Sequence, residues 1–188
     1  MLTPMPAPGQ VRPSVLMLPG FGGGADQPVL VALENALRPH ALLAVRAALP
    51  RGRPSPGLAD EVSKARAWAR ADPEIAAYAG RSFGGRVLAR LALETPPRAL
   101  VLMGYPVRSA SGQRRLEDER VLAALACPTL IVQGSADPLG PIRTLERITT
   151  RNARLELVVL DGATHSFGRR EREAVRTAAG WLASHLAF

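Results

Sequence analysis

The chain has 188 residues, enough for one domain with a sizeable core, and 47% of them are hydrophobic, as in an ordinary globular protein. No stretch approaches the roughly 20 apolar residues of a membrane-spanning helix, and the single cysteine, Cys127, excludes an internal disulfide. The net charge is +8, but the arginines are dispersed and aromatic residues make up only 4%. We therefore expect neither a nucleic-acid nor a membrane partner.

Strand-like and helical patterns alternate after a proline-rich start. Met1 to Pro13 lacks the apolar segment of a secretory signal, which predicts a flexible leader (1–13) on one cytoplasmic domain (14–188). The alternation predicts a parallel sheet with helices on both faces. The predicted strands are Ser14–Leu18, Ala41–Val45, Ile75–Ala79, Ala99–Met103, Thr129–Gln133 and Leu155–Leu160. The predicted helices are Pro28–Leu37, Leu58–Arg70, Gly84–Glu94, Arg115–Leu125, Leu139–Thr149 and Arg170–Leu186.

A glycine-rich loop, Pro19 to Gly24, follows the first predicted strand. Glycines let a backbone approach a substrate closely, so the N–H of Phe21 is a candidate oxyanion donor. A phosphate-binding loop is the alternative, but neither G-x-x-x-x-G-K-[ST] nor the strict G-x-G-x-x-G spacing is present. Asp26 is expected to cap the following helix, with Pro28 in its first turn.

The segment Gly80-Arg81-Ser82-Phe83-Gly84 joins a predicted strand to a predicted helix. This is the context of a G-x-S-x-G nucleophile elbow, a sharp turn whose neighbouring residues must be nearly free of side chains. The motif predicts Ser82 as a nucleophile and the N–H of Phe83 as an oxyanion donor. Taken alone, the five residues fit an ordinary strand-to-helix loop equally well.

A serine nucleophile needs a base to take its proton and an acid to orient that base. His165 follows the last predicted strand and is favoured as the base, since His40 and His185 belong to predicted helix ends or surfaces. Asp137 follows the preceding strand and is favoured as the acid, with Asp161 as its rival. Open parallel sheets bind ligands at the carboxyl ends of their strands, where both candidates fall.

Other residues are expected around this site or away from it. Arg81, Tyr105 and Arg108 are candidates for the substrate rim, and the loop 50–57 is expected to border the site. Arginines there would favour an anionic substrate, although exposed arginines from a compositional bias are the alternative. Cys127 precedes a buried strand and predicts a core thiol. No Cys/His cluster suggests a metal, and no cofactor is expected.

In this order, the motifs resemble those of the α/β-hydrolase superfamily, near the dienelactone-hydrolase branch. More closely, they resemble the small lidless bacterial hydrolases grouped with the testis-expressed hydrolase-like protein and subunit three of the non-specific-lethal complex. Pro19 departs from the histidine that is usual in this group, and the stretch 107–112 departs from its common His-Pro-Pro-Gly. The matching stretches are Leu18 to Asp26, Gly80 to Arg86, Gly104 to Pro106, Pro128 to Pro138, and the loop of His165.

The resemblance implies a minimal α/β-hydrolase fold with about six parallel strands and no lid domain. It also implies a serine hydrolase that acts on small carboxylic esters or thioesters through Ser82, His165 and Asp137, with an acyl-enzyme. A monomer or weak homodimer is expected. Two alternatives stay open: a protein-interaction module with weak or no catalysis, and a peptidase or transacylase that uses the same three residues.

Overall fold

The computed structural model describes residues 12–187, so the predicted leader falls almost wholly outside the described residues. Six parallel strands form one open sheet in the order β2-β1-β3-β4-β5-β6, which confirms the predicted fold class. The strands are β1 Ser14–Leu18, β2 Leu43–Arg46, β3 Ile75–Arg81, β4 Ala99–Met103, β5 Thr129–Gly134 and β6 Leu155–Leu160. The helices are α1 Pro28–Leu37, α2 Ala59–Ala71, α3 Phe83–Glu94, α4 Leu116–Ala124, α5 Ile142–Thr149 and α6 Glu171–Leu186.

The sheet separates two hydrophobic clusters. Along β1, Leu16 and Leu18 belong to the cluster that includes α2, α3, α4 and α5, whereas Val15 and Met17 belong to the cluster that includes α1 and α6. Because successive side chains of a strand point to opposite faces, a strand buried on both faces is apolar at every position. This explains why β1 and β4 have the bounds that their sequence predicted. Cys127 is buried in the first cluster, as predicted.

Three local predictions differ from the structure. The second strand begins at Leu43 because Ala41 takes a left-handed conformation (φ 57°) that ends the preceding turn. The fifth helix begins at Ile142, since Pro141 is extended (φ −56°, ψ 126°). Asp26 is not the cap of α1. That position belongs to Gln27, which makes no capping hydrogen bond and instead accepts the N–H of Gly20 at 2.9 Å.

The strand order places a crevice between two loops. β2 pairs with one edge of β1, and β3 pairs with the other edge. The connections that follow β1 and β3 therefore run in opposite directions from the carboxyl ends of these two strands. Ligands of open α/β sheets bind at such a switch point. The glycine-rich loop after β1 and the Ser82 turn after β3 both lie there.

A buried ionic cluster joins α3 to α4. The carboxylate of Asp118, 2% exposed, accepts hydrogen bonds from Arg86 Nε at 2.9 Å and Arg90 Nη1 at 2.7 Å. Replacing Asp118 with asparagine leaves two partly buried guanidiniums without their counter-charge. We expect the free energy of unfolding to fall by about 3–5 kcal/mol, measured by urea denaturation.

The matched control is Glu117→Gln on the same helix. Glu117 is 66% exposed and pairs with Arg120 only at 3.6 Å, so its loss is expected to change the free energy of unfolding by less than about 0.5 kcal/mol. Equal urea midpoints for the two variants would show that the Asp118 cluster contributes no more than a surface pair.

Candidate active site

Ser82 lies on a sharp turn between β3 and α3. Its backbone has φ 49° and ψ −108°, a conformation that is rare for residues other than glycine. Two hydrogen bonds hold the turn: the N–H of Ser82 donates to the carbonyl of Met103, and that of Gly84 to the carbonyl of Pro19, each at 2.9 Å. Strained backbone that is fixed by its surroundings is typical of functional sites.

The two glycines of the G-x-S-x-G motif are required by close backbone contacts. A Cβ on Gly80 would collide with the backbone of Gly85 at the start of α3. A Cβ on Gly84 would collide with the backbone of Leu18 and Pro19. The strand, the turn and the helix therefore pack together only because these positions carry no side chain.

Hydrogen bonds connect Ser82, His165 and Asp137 in a continuous chain. Ser82 Oγ lies 2.9 Å from His165 Nε2, and His165 Nδ1 lies 2.7 Å from Asp137 Oδ2. Because an ionised carboxylate can only accept, the network assigns the proton to Nδ1 and leaves Nε2 free to accept from the serine. The structure thus brings together all three residues that the sequence predicted, although Ser82 and His165 are 83 positions apart.

Asp137 is surrounded by donors. Its carboxylate accepts from Gln133 Nε2 at 2.6 Å and from the Leu139 N–H at 2.9 Å, in addition to His165. Burial alone would raise the pKa of Asp137, but hydrogen bonds from His165 and Leu139 and the nearby charge of Arg81 outweigh it and hold this pKa below its usual range. The carboxylate is therefore ionised at neutral pH.

Gln133 is a site residue that sequence reasoning missed. It is fully buried at the end of β5, and while its Nε2 donates to Asp137, its Oε1 accepts the N–H of Tyr105 at 2.9 Å. A buried amide must satisfy both its donor and its acceptor. The sequence offered one signal for this role. Gln133 is a polar residue near the end of a largely apolar strand, four positions before Asp137.

The competing candidates lie apart from this chain of hydrogen bonds. Asp161 is exposed and accepts the hydroxyl of Ser135 at 3.2 Å. His185 stacks on Trp181 at 3.8 Å between ring centroids. His40 lies in the turn after α1 and borders a groove between α1 and α6.

Arg81, a predicted rim residue, lines the cleft, but its guanidinium is engaged by the protein. It is only 7% exposed, and its guanidinium donates to the carbonyl of Met103 at 3.2 Å and to the carbonyl of His165. The same group lies over the ring of Phe167, 5.2 Å from its centroid. Burial lowers the pKa of Arg81 to about 10, so it stays charged at neutral pH and ties the His165 loop to the sheet.

The prediction of Tyr105 as a rim residue is wrong. Tyr105 is fully buried in the core cluster that also holds Val121 and Leu122 of α4, and its hydroxyl donates to the carbonyl of Asp118 at 3.4 Å. The aromatic ring contributes its apolar area to the core instead of meeting substrate. Arg108, in contrast, does line the site.

A cleft of about 580 Å³ opens above Ser82 and His165, within the range typical of small-molecule sites. Phe21 and Phe83 meet there edge to face, with ring centroids 5.6 Å apart. Within residues 12–187, neither of their backbone N–H groups donates to a protein acceptor. The predicted border loop 50–57 contributes Pro54. The lining residues are Gly20, Phe21, Gln27, Pro54, Arg81, Ser82, Phe83, Arg86, Pro106, Arg108, Ala110, Arg115, Leu139 and His165.

Comparison with known proteins assigns the family. The model of the alpha/beta hydrolase domain matches residues 13–185. The chain belongs to the α/β-hydrolase domain family. Family and fold together support a hydrolase.

Sequence relatives of this α/β-hydrolase include two uncharacterized proteins from two strains of Mycobacterium tuberculosis. Each is 31% identical over 136 residues, which is 61% of this chain and 48% of the relative. The match therefore spans about half the length of these curated relatives.

Solved structures share the fold. Est1E from Butyrivibrio proteoclasticus, with ferulic acid bound, has a TM-score of 0.76 at 16% identity and covers 98% of this chain and 94% of its own. An α/β serine hydrolase without a lid, from Xanthomonas campestris, has a TM-score of 0.67 at 22% identity. The match covers 94% of this chain and 86% of the Xanthomonas chain. Across residues 12–187, every helix of this α/β-hydrolase is too short or too polar to cross a membrane.

Proposed function

We propose that this α/β-hydrolase is a serine hydrolase that cleaves small carboxylic esters or thioesters through an acyl-enzyme. The observation that carries the proposal is the chain of hydrogen bonds from Ser82 Oγ through His165 to the buried carboxylate of Asp137, at 2.9 and 2.7 Å. A hydroxyl is a weak nucleophile until an adjacent base takes its proton, and this geometry provides the base and the group that orients it.

The proposed reaction has two halves. Ser82 Oγ attacks the carbonyl carbon while His165 Nε2 takes the hydroxyl proton, and the resulting oxyanion accepts from the N–H groups of Phe21 and Phe83. The tetrahedral intermediate collapses as His165 returns the proton to the leaving alcohol or thiol. Water then attacks the acyl-enzyme with His165 again as base. The bond between the acyl carbon and Ser82 Oγ breaks, His165 returns the proton to Ser82, and the carboxylic acid leaves. Asp137 stabilises the imidazolium in both halves.

The similarities support the same chemistry and a particular branch of the family. Est1E was solved with ferulic acid, and another structural relative is described as a lidless serine hydrolase. We assign the chain to the small lidless group near the dienelactone hydrolases that its motifs resemble. Its open cleft favours short or protruding acyl groups, because the described residues form no lid domain that would shield a long lipid. A cytoplasmic monomer or weak homodimer stays a prediction from the sequence.

Labelling with a fluorophosphonate probe tests the proposal directly. The probe reacts with serines activated by a neighbouring base, so the wild-type protein is expected to be labelled and Ser82→Ala to lose the label completely. Ser135→Ala is the matched control, since Ser135 also follows a strand of the sheet, β5, but donates to Asp161, and its labelling is expected to equal that of the wild type. A well-folded wild type without labelling would reject the proposal and favour a protein-interaction module.

A further inference from the structure

The loop between β4 and α4, residues 104–115, places two arginines in the wall of the catalytic cleft. Arg108 lies in the first half of the loop and Arg115 is its last residue, yet the two are close to each other. Arg108 pairs with Arg114 in an antiparallel bridge, and Arg115 Nε donates to the carbonyl of Arg108 at 3.2 Å. The backbone of the loop is thus fixed, and both half-buried side chains face the cleft that contains Ser82.

Neither guanidinium forms an ion pair within the described residues, although the carboxylate of Asp118 lies near enough to act on Arg115. Within residues 12–187, no carboxylate oxygen lies within 4.0 Å of Arg108 or Arg115. The other two arginines of the cleft are engaged, since Arg86 pairs with Asp118 and Arg81 donates to backbone carbonyls. The described lining contains four arginines and no acidic residue.

The cleft brings several cations near one another. Burial, and then repulsion from Arg86, lower the pKa of Arg115, and the opposing attraction of Asp118 does not cancel these effects. An anion in the cleft would relieve this repulsion and replace lost solvent. Clefts lined by one sign of charge also concentrate ligands of the opposite sign.

We propose that the cleft selects esters or thioesters that carry a second, anionic group, a carboxylate or a phosphate, and that Arg108 and Arg115 bind this group. The proposal rests on the serine-hydrolase function. A guanidinium presents planar, paired N–H donors that match the oxygens of either anion. Arg108 and Arg115 hold a part of the substrate that does not react, so they are specificity residues.

Two esters of equal acyl length test the carboxylate arm. Mono-4-nitrophenyl adipate differs from 4-nitrophenyl hexanoate by its terminal carboxylate. The wild type is expected to have a kcat/KM about 10- to 100-fold higher for the adipate, as charge-assisted hydrogen bonds predict, mainly through KM and less so at high salt. In Arg108→Gln/Arg115→Gln the ratio is expected to fall to about one. Arg120→Gln, a 77% exposed arginine on α4, should keep the wild-type ratio.

Two thioesters test the phosphate arm. Hexanoyl-4′-phosphopantetheine and hexanoyl-pantetheine share the reacting bond and differ only in the terminal phosphate of the leaving group. A preference confined to the adipate places the anion on the acyl side, and one confined to the phosphopantetheine thioester places it on the leaving side. Either result supports the proposal if the double variant removes it. Equal kcat/KM values within both pairs would overturn it.

A binding measurement separates this inference from the serine-hydrolase proposal. Calorimetric titration of Ser82→Ala protein with the same two nitrophenyl esters needs no turnover. Tighter binding of the adipate by about 10-fold or more, weakened by salt, supports the inference even if the wild type hydrolyses neither ester. Equal affinity overturns it, whereas loss of hydrolysis alone contradicts only the proposed function. If circular dichroism shows that the double variant does not fold, two other results test the inference: the adipate preference of Arg108→Gln alone, and the salt dependence of that preference in the wild type.

Discussion

Replacing His165 with glutamine is expected to lower kcat for aryl ester hydrolysis by about four to six orders of magnitude, as loss of the base does in serine hydrolases. His165 Nε2 lies 2.9 Å from Ser82 Oγ. A glutamine amide can occupy the same space and hydrogen-bond the hydroxyl, but it cannot take up its proton. Steady-state kinetics with 4-nitrophenyl acetate measures the effect.

The matched control for this variant is His185→Gln. His185 lies on α6, where it stacks on Trp181 and hydrogen-bonds the carbonyl of the same residue. Its replacement removes a histidine without touching the cleft, so kcat is expected to stay within about two-fold of wild type. Retention of wild-type kcat by His165→Gln, with an unchanged circular dichroism spectrum, would remove His165 from the mechanism.

Replacing Asp137 with asparagine is expected to lower kcat by about four orders of magnitude while the fold is kept, as at the equivalent position of serine proteases. Asp137 Oδ2 accepts the His165 Nδ1–H at 2.7 Å, and Gln133 Nε2 donates to the same oxygen at 2.6 Å. An amide NH₂ turned toward Nδ1 would favour the tautomer that carries its proton on Nε2, which cannot accept from Ser82. The imidazolium of the reaction would also lose its counter-charge.

Asp161→Asn is the control that decides between the two candidate acids. Asp161 is four residues before His165 in sequence, yet it is exposed and bonded to Ser135. We expect this variant to keep kcat within about two-fold of wild type in the same aryl ester assay. Normal activity in Asp137→Asn together with a large loss in Asp161→Asn would transfer the acid role to Asp161.

The central strands β1 and β4 were predictable because both of their faces are buried. In β1, both faces are covered by helices, so the strand is a continuous apolar run whose limits coincide with the structure. Where the backbone conformation of a single residue sets the limit of a strand or helix, the hydrophobic pattern predicted the wrong limit. Ala41 continues an apolar run but adopts a positive φ, and Leu139 reads as helical but lies in the Asp137 turn, to which its N–H donates.

The site was predictable where its chemistry is linked to strand ends. Ser82 follows β3, Asp137 follows β5 and His165 follows β6, and strand ends of a parallel sheet share one edge. Residues whose role depends on side-chain direction were not predictable in this way. The Arg81 side chain binds the His165 loop and the Tyr105 side chain packs in the core, although both residues lie at the carboxyl edge of the sheet.

By itself, the sequence determined a parallel sheet with a serine, an aspartate and a histidine at its carboxyl edge, since local burial and turn chemistry encode the strands and the loops that follow them. Only the tertiary structure decided which partners those residues take. Gln133 donates to Asp137, Arg81 binds the His165 loop, and Arg108 and Arg115 lie in a cleft that no carboxylate of the described residues lines. Such contacts join segments far apart in the chain, and their geometry depends on the packing of helices and loops that no local pattern records.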